Sequence, residues 1–483
     1  MISKQFFKSS IIYSLVGSLP YISGIILIPF FTIYLTPQQF GVNALFYSMM
    51  VFFQVLAGFG MDYFIGVYYY EYKDKKQQLR ELMGTVLLLS LVIGLFLIIF
   101  MGLAGPFAFR LLWPEITGLS FFPFGIITLI TAIFTAGFKS YTGLLINQQR
   151  VEKFFWMNIL NFVLTIGTTF LLLHLFPFTL YGPILGRLIP MTVSFLLTVI
   201  FISQEFGLTF KTELLRPLLS FCIPIVVYSI LVWVVNNIDR FVITHFIPDT
   251  TYVGVFDIAV KITLFIDLIQ MGLMNTINPK IFRIWKDQNL RESSLEVNRY
   301  YNGFTALTIL IIPVILISVP YLLPIVIKKT IYYQALLYLP LLCLGFATRG
   351  WFYMFMSPIY YFKKTKVLPK IFLFSAIFQI ICSVLLIKYF GIMGAVWANF
   401  LVKPIQALVV YSESRKIFRF EFNRWKIVYL PVIFILIGVV CEIITTQNTR
   451  LYFNILQLMI SLLLVFFAYR NELIPLLRKR FTL

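Results

Sequence analysis

Asn236-Asn237-Ile238-Asp239-Arg240 sets charge inside a long apolar run. The chain continues through His245-Phe246-Ile247-Pro248 into Val253-Gly254-Val255-Phe256-Asp257-Ile258-Ala259-Val260-Lys261, and the stretch ends at Trp285-Lys286-Asp287. It echoes the N-terminus. Moved back by 213 positions, Gly254-Val255 falls on Gly41-Val42 and Trp285-Lys286-Asp287 on Tyr72-Lys73-Asp74. The same shift sets Thr348-Arg349-Gly350 on Thr135-Ala136-Gly137, and a shift of 212 sets Met393-Gly394-Ala395-Val396-Trp397-Ala398 on Tyr181-Gly182-Pro183-Ile184-Leu185-Gly186. Identity is weak, but the register drifts by one residue over half the chain. The quoted stretch therefore opens a second copy of the first half.

Working outward, hydrophobic residues make up 60% of the 483 positions and charged residues 12%, against about 45–50% and ~25% in soluble domains. Mean hydropathy is +0.92. Apolar runs recur along the whole length, and about 20 residues suffice to cross a bilayer as a helix. A membrane barrel would instead show short alternating segments. The expected fold is an all-α polytopic membrane protein with fourteen transmembrane segments. They fall at about 11–35, 41–69, 82–105, 119–146, 154–174, 179–203, 217–246, 253–279, 301–327, 332–361, 367–387, 391–412, 427–446 and 451–469. Thr36-Pro37-Gln38-Gln39 reads as a break, Pro106 as the start of an outer loop, and Pro313, Pro320 and Pro324 as breaks in segment nine.

The net charge of +20 raises nucleic acid as a partner, but its placement argues for orientation in a membrane instead. Most Lys and Arg fall in loops on one side, as in Lys73, Lys75, Lys76 and Arg80, in Lys280, Arg283 and Lys286, in Lys363, Lys364 and Lys366, and in Arg415 and Lys416. With Lys4 and Lys8 at one end and Lys479 and Arg480 at the other, the positive-inside rule puts both termini in the cytoplasm. The first apolar run is too long for a signal-peptide core and is read as a retained helix. Cys222, Cys343, Cys382 and Cys441 are scattered without a C-x-x-C, and His174 and His245 stand alone, so neither a disulfide framework nor a metal site is expected.

Six segments per copy is an even number, so the copies share one orientation and are expected to form two lobes related by a pseudo-two-fold along the membrane normal. The lobes take residues 1–210 and 211–425, with two further helices and a basic tail in 426–483. Ionisable groups at bilayer depth are costly and mark pathways. On the repeat, Arg349 corresponds to Ala136, three residues from Lys139, and Lys403 to Met191, four from Arg187. Residues three or four apart share a helix face. Lys139, Arg187, Arg349 and Lys403 are thus candidates for one cationic cavity suited to a phosphate-bearing ligand. Asp62 and Asp267 are further charges within apolar segments, Asp62 as a candidate cap for segment two. Asp239, Arg240, Asp257 and Lys261 are candidates for gating or coupling, with Asp257 and Lys261 spaced to neutralise one another. Snorkelling to the surface is the competing reading for Lys139, Arg240 and Lys261.

Pro37-Gln38-Gln39-Phe40-Gly41 after segment one, Asn237-Ile238-Asp239-Arg240 in segment seven, and Gly254-Val255-Phe256-Asp257-Ile258-Ala259-Val260-Lys261 in segment eight carry a family resemblance. The last is similar to a G-x-Y-x-x-A-x-K pattern, with Phe256 in place of Tyr. Across its whole length the chain resembles the Wzx-type oligosaccharide flippases of the multidrug/oligosaccharidyl-lipid/polysaccharide (MOP) exporter superfamily. The resemblance implies transfer of a polyprenyl-diphosphate-linked oligosaccharide, a repeat unit of O-antigen, capsule or exopolysaccharide, across the bacterial cytoplasmic membrane. It also implies membrane lipid, polysaccharide polymerases and glycosyltransferases as partners, no bound cofactor, and coupling to an H+ or Na+ gradient as an open point.

Other readings make other demands. A lipid II flippase, close in chemistry, would carry arginines on segment one, which has none. A multidrug or cation antiporter of the same superfamily would favour acids on segment one, which carries none. A membrane enzyme of polysaccharide assembly would want a sizeable outer loop or a carboxylate-rich site. The longest outer loop is short and Glu115 is its sole acid. No G-x-x-x-x-G-K-[ST] loop occurs, so nucleotide hydrolysis by that route is excluded.

Overall fold

The computed structural model describes residues 12–13, 15–114, 116, 118–287, 290–418, 421–444 and 449–478, without the side chains of 21, 287, 290–294 and 471–478. Lys4, Lys8, Glu115, Lys479 and Arg480 lie outside the described residues. Every regular element among the described residues is helical. In chain order they are α1 (Leu19–Ile26), α2 (Ile28–Tyr34), α3 (Pro37–Gly58), α4 (Met61–Tyr72), α5 (Lys76–Leu112), α6 (Ile126–Asn147), α7 (Val151–Leu175) and α8 (Tyr181–Phe206). Then come α9 (Leu215–Phe246), α10 (Thr251–Asp287), α11 (Leu290–Val326), α12 (Ala335–Tyr361), α13 (Leu368–Ile417), α14 (Leu430–Ile444) and α15 (Arg450–Arg478).

Among the described residues, eleven helical stretches are long and apolar enough to cross a membrane. Three crossings stand outside that simple test for visible reasons. The first is split into α1 and α2 at Leu27, beside Pro29. α10 carries Asp257, Lys261 and Asp267. α13 is a merged pair, interrupted at Gly391, whose φ of 58° and ψ of −137° only glycine adopts readily. Fourteen segments result, and the chain is a multi-pass membrane protein.

Proline and glycine act differently from the sequence expectation. The expected break between segments one and two falls at Leu35-Thr36, and the next helix starts at once at Pro37. Gln39 N donates to Thr36 Oγ1 at 3.2 Å and Thr36 N to Gln39 Oε1 at 3.0 Å, a capping box with Pro37 in the first turn. The second crossing, expected as one helix, is broken at Phe59 (φ 46°) and Gly60 (φ 69°) into α3 and α4, so Asp62 sits in the first turn of α4. α5 runs through Pro106 to Leu112, and α11 runs through Pro313, Pro320 and Pro324. Membrane helices tolerate proline because neighbouring groups and small local adjustments satisfy the freed carbonyls.

The repeat is visible in local structure. α6 ends with Gln149 left-handed (φ 57°), Gln149 N donating to Ile146 O and Arg150 N to Leu145 O. α12 ends with Lys363 left-handed (φ 55°), Lys363 N donating to Tyr360 O and Lys364 N to Ile359 O. Both are Schellman caps. The α7–α8 turn has a left-handed residue at Phe178 (φ 58°), and Gly391, 213 positions on, has the same φ in the corresponding turn. Glycines close both hairpins. A Cβ on Gly182 would lie 2.8 Å from Leu173 Cδ2, and one on Gly394 would lie 2.0 Å from Leu386 O. Gly186 completes a G-x-x-x-G with Gly182. A Cβ there would lie 2.4 Å from Thr169 Oγ1, and Thr168 Oγ1 donates to Gly186 O at 3.1 Å. Small residues of this spacing let membrane helices approach closely.

The chain packs as two compact units, residues 1–254 with Ile327–Lys329, and Val255–Val326 with Thr330–Leu483. In the first unit α9 packs on α3, where Trp233 Nε1 donates to Ser48 O at 2.9 Å. Gly41 and Gly254, partners in the repeat, lie against each other, a Cβ on Gly254 coming 3.2 Å from Gly41 N. In the second unit α14 and α15 are joined by Arg450 Nη2 and Glu442 Oε1 at 2.8 Å, and Asn454 Nδ2 donates to Leu316 O of α11 at 3.1 Å.

Candidate functional site

Each unit sets one arginine between an amide and aromatic rings. In the first, Arg187 projects from α8 toward α3. Its Nη2 donates to Oδ1 of the buried Asn43 at 2.9 Å. Its guanidinium carbon lies 5.2 Å from the centre of the Tyr47 ring and 6.0 Å from that of Phe31. Asn43, Tyr47 and Met50 follow one another at i, i+4 and i+7 along α3. Met50, Thr128, Thr131 and Ile184 lie with Arg187 around a gap too narrow to hold a water. An arginine within cation–π range of aromatic faces keeps its charge while losing part of its water.

In the second unit Arg349 projects from α12. Its Nη1 donates to Gln406 Oε1 of α13 at 2.9 Å, and its guanidinium carbon lies 4.7 Å from the Phe352 ring centre and 5.5 Å from that of Tyr353. Asp267 of α10 completes the cluster. Arg349 Nε lies 3.6 Å from Asp267 Oδ1, and Tyr353 Oη donates to the same oxygen at 2.9 Å. Arginine has no acceptor, so the bond to Gln406 fixes that amide with its oxygen toward Arg349. Gln406 is 1% exposed and its Nε2 has no hydrogen-bond partner among the described residues. An unpaired buried donor costs about 1–3 kcal/mol, so its retention beside a cation is informative.

Lys403 lies one turn from Gln406 on α13. Its Nζ donates to Asn399 O at 3.0 Å and to Asn399 Oδ1, and sits 4.9 Å from the Phe346 ring centre. Gly345, one turn before Arg349, makes room for it. A Cβ on Gly345 would lie 3.0 Å from Lys403 Cδ. Arg349 and Lys403 thus share one α12–α13 seam. Lys139 is placed otherwise. Its side chain is 60% exposed, and its Nζ lies 3.7 Å from Asp62 Oδ2. A loose, exposed pair of this kind contributes little stability.

Of the four residues assigned to gating or coupling, Asp239, Arg240 and Asp257 are buried and Lys261 is partly buried. Asp239 is 1% exposed and Arg240 is nearly as buried, with Arg240 Nη1 donating to Asn236 O at 3.2 Å. Asp257 and Lys261 form an i, i+4 ion pair at 2.7 Å. Charges withdrawn from water persist only when paired and hydrogen-bonded.

Sequence reasoning singled out the cations but missed their neutral partners. Asn43, Tyr47, Tyr353 and Gln406 carry no charge and blend into helices rich in such residues. The available signal was an amide inside an apolar run, one turn from an aromatic. Asp267 was noted as a charge and given no role. Among the described residues no group of three or more His, Cys, Asp or Glu could hold a metal ion.

Comparison with known proteins decides the family. Residues 6–285 match the model of the family described as polysaccharide biosynthesis protein. The chain belongs to that family. No curated protein sequence matches it. Among solved structures it is similar to the lipid II flippase MurJ in an inward closed conformation, with a TM-score of 0.73 at 15% identity over 95% of this chain and 99% of that one. It is also similar to the MATE multidrug transporter DinF-BH, with a TM-score of 0.62 at 17% identity over 86% and 97%. A MOP superfamily transporter from Pyrococcus furiosus gives 0.60 at 15% over 86% and 95%. At these identities the likeness concerns the fold. This member of the polysaccharide biosynthesis protein family has the fold of MOP-superfamily transporters.

Proposed function

We propose that the protein is a flippase, not an enzyme, and that it moves a polyprenyl-diphosphate-linked oligosaccharide across the bacterial cytoplasmic membrane by alternating access. The observation that carries this reading is the recurrence of one arrangement in both units: Arg187 with Asn43 and Tyr47, and Arg349 with Gln406 and Tyr353. A guanidinium already oriented by an amide and a ring recognises phosphate oxygens with geometric specificity. Lys403 adds a point charge beside Arg349. Family membership supports a saccharide cargo, and likeness to a lipid II flippase supports a lipid-linked one. The sequence-predicted roles follow from this. Arg187, Arg349, Lys403 and Lys139 bind the anionic head, while Asp239, Arg240, Asp257 and Lys261 serve gating or coupling to an H+ or Na+ gradient. Both termini face the cytoplasm. Glycosyltransferases make the cargo on that side, and a polymerase uses it on the other.

A cation antiporter fits less well, because guanidinium and ammonium groups repel cationic cargo. Deletion of the gene tests the proposal. Surface polysaccharide is expected to disappear while lipid-linked units accumulate in the inner leaflet. Unchanged surface polysaccharide in a strain without another exporter would overturn it.

A further inference from the structure

Asp267 presents an oddity that binding of an anionic head does not explain. A carboxylate beside a phosphate-binding arginine cancels the charge that the cargo needs. A pair built for rigidity would be bidentate, with nitrogen–oxygen distances of about 2.7–2.9 Å. This pair is loose. Arg349 Nε stands 3.6 Å from Asp267 Oδ1, beyond hydrogen-bond length. The Asp267 side chain is 29% exposed and that of Arg349 19%, so the pair is open to a competitor. The carboxylate is held instead by Tyr353 Oη at 2.9 Å, on the same Oδ1. The buried Nε2 of Gln406 has no partner among the described residues, and Gln406 is fixed by its bond to Arg349 Nη1. The cluster therefore combines a cation, an unsatisfied amide donor and a weakly engaged acid.

We infer that Asp267 is an internal competitor for the anionic head of the cargo. With the site empty, Asp267 neutralises Arg349. An arriving diphosphate displaces it, taking the guanidinium and the vacant Gln406 Nε2, while Tyr353 keeps the carboxylate nearby. On release, Asp267 re-engages Arg349 and prevents tight retention of the head. No bond is made or broken, and the exchange is one of ion-pair partners. Asp267 is thus a positioning residue that sets release. The inference rests on the reading of Arg349 as a phosphate ligand.

The test is binding of farnesyl diphosphate, a short polyprenyl diphosphate, to the full-length protein in nanodiscs. Wild type is compared with Arg349→Ala, the isosteric Asp267→Asn, and Tyr353→Phe. Arg349→Ala is expected to lose binding. Asp267→Asn is expected to tighten it by on the order of 10-fold, since the amide keeps its shape and loses the competing charge. Tyr353→Phe leaves Oδ1 wholly to Arg349 and is expected to weaken binding, so a misfolded Asp267 variant would not end the test. Equal binding by wild type and Arg349→Ala would overturn the phosphate-ligand reading itself. Loss in Arg349→Ala with unchanged or weaker binding in Asp267→Asn, or with unchanged or tighter binding in Tyr353→Phe, would overturn only the role of Asp267.

Discussion

Asn43 and Gln406 do at the residue scale what the arginines cannot do alone. A guanidinium at bilayer depth is costly, and each amide offers it a neutral acceptor without cancelling its charge. Replacing the amide with a carboxylate of the same shape tests this. Gln406→Glu would form a close ion pair with Arg349, and transport is expected to fall by at least ~10-fold with the amount of folded protein unchanged. Undiminished transport in a quantified membrane preparation would argue against an anionic cargo at Arg349. Arg187 and Arg349 were legible in the sequence because a lone charge in an apolar run is conspicuous. Their partners were not, because an amide or a tyrosine matters only once the fold sets it against the charge. Exposure was equally hidden. Lys139 and Arg349 look alike on the repeat, yet the side chain of one is 60% exposed and that of the other 19%.

At the element scale, hairpins are set by glycine and by left-handed turns. Gly186 lies over Thr169 so closely that Gly186→Val must separate α7 from α8. Overpacking of this kind costs about 1–3 kcal/mol. A lower melting temperature in detergent and less protein in the membrane are expected, whereas Gly143→Val, which meets nothing within 4 Å, should be silent. Equal melting temperatures for both variants would contradict the packing described. Segment number was legible because hydropathy in a bilayer is a strong constraint. Proline misled it. Pro106 and Pro313 lie within continuous helices, where a soluble protein would break. Conversely, the break at Phe59-Gly60 escaped notice, because Phe59 in a left-handed conformation has no signature in an apolar run.

At the scale of the whole molecule, the family match and the MOP-superfamily fold frame the stretch Asn236–Asp287. That stretch spans the end of α9 and the whole of α10, and the packing division of the chain falls within it at Gly254. The central claim is that Arg187 and Arg349, one in each unit, are both needed to move an anionic cargo. The direct measurement is flipping of a fluorescent polyprenyl-diphosphate oligosaccharide in proteoliposomes containing wild type, Arg187→Ala or Arg349→Ala at equal protein content. Losing a hydrogen bond to a charged group, worth ~1.5–3 kcal/mol, corresponds to a ~10–100-fold slower rate in each variant. Wild-type rates in both variants would contradict the account.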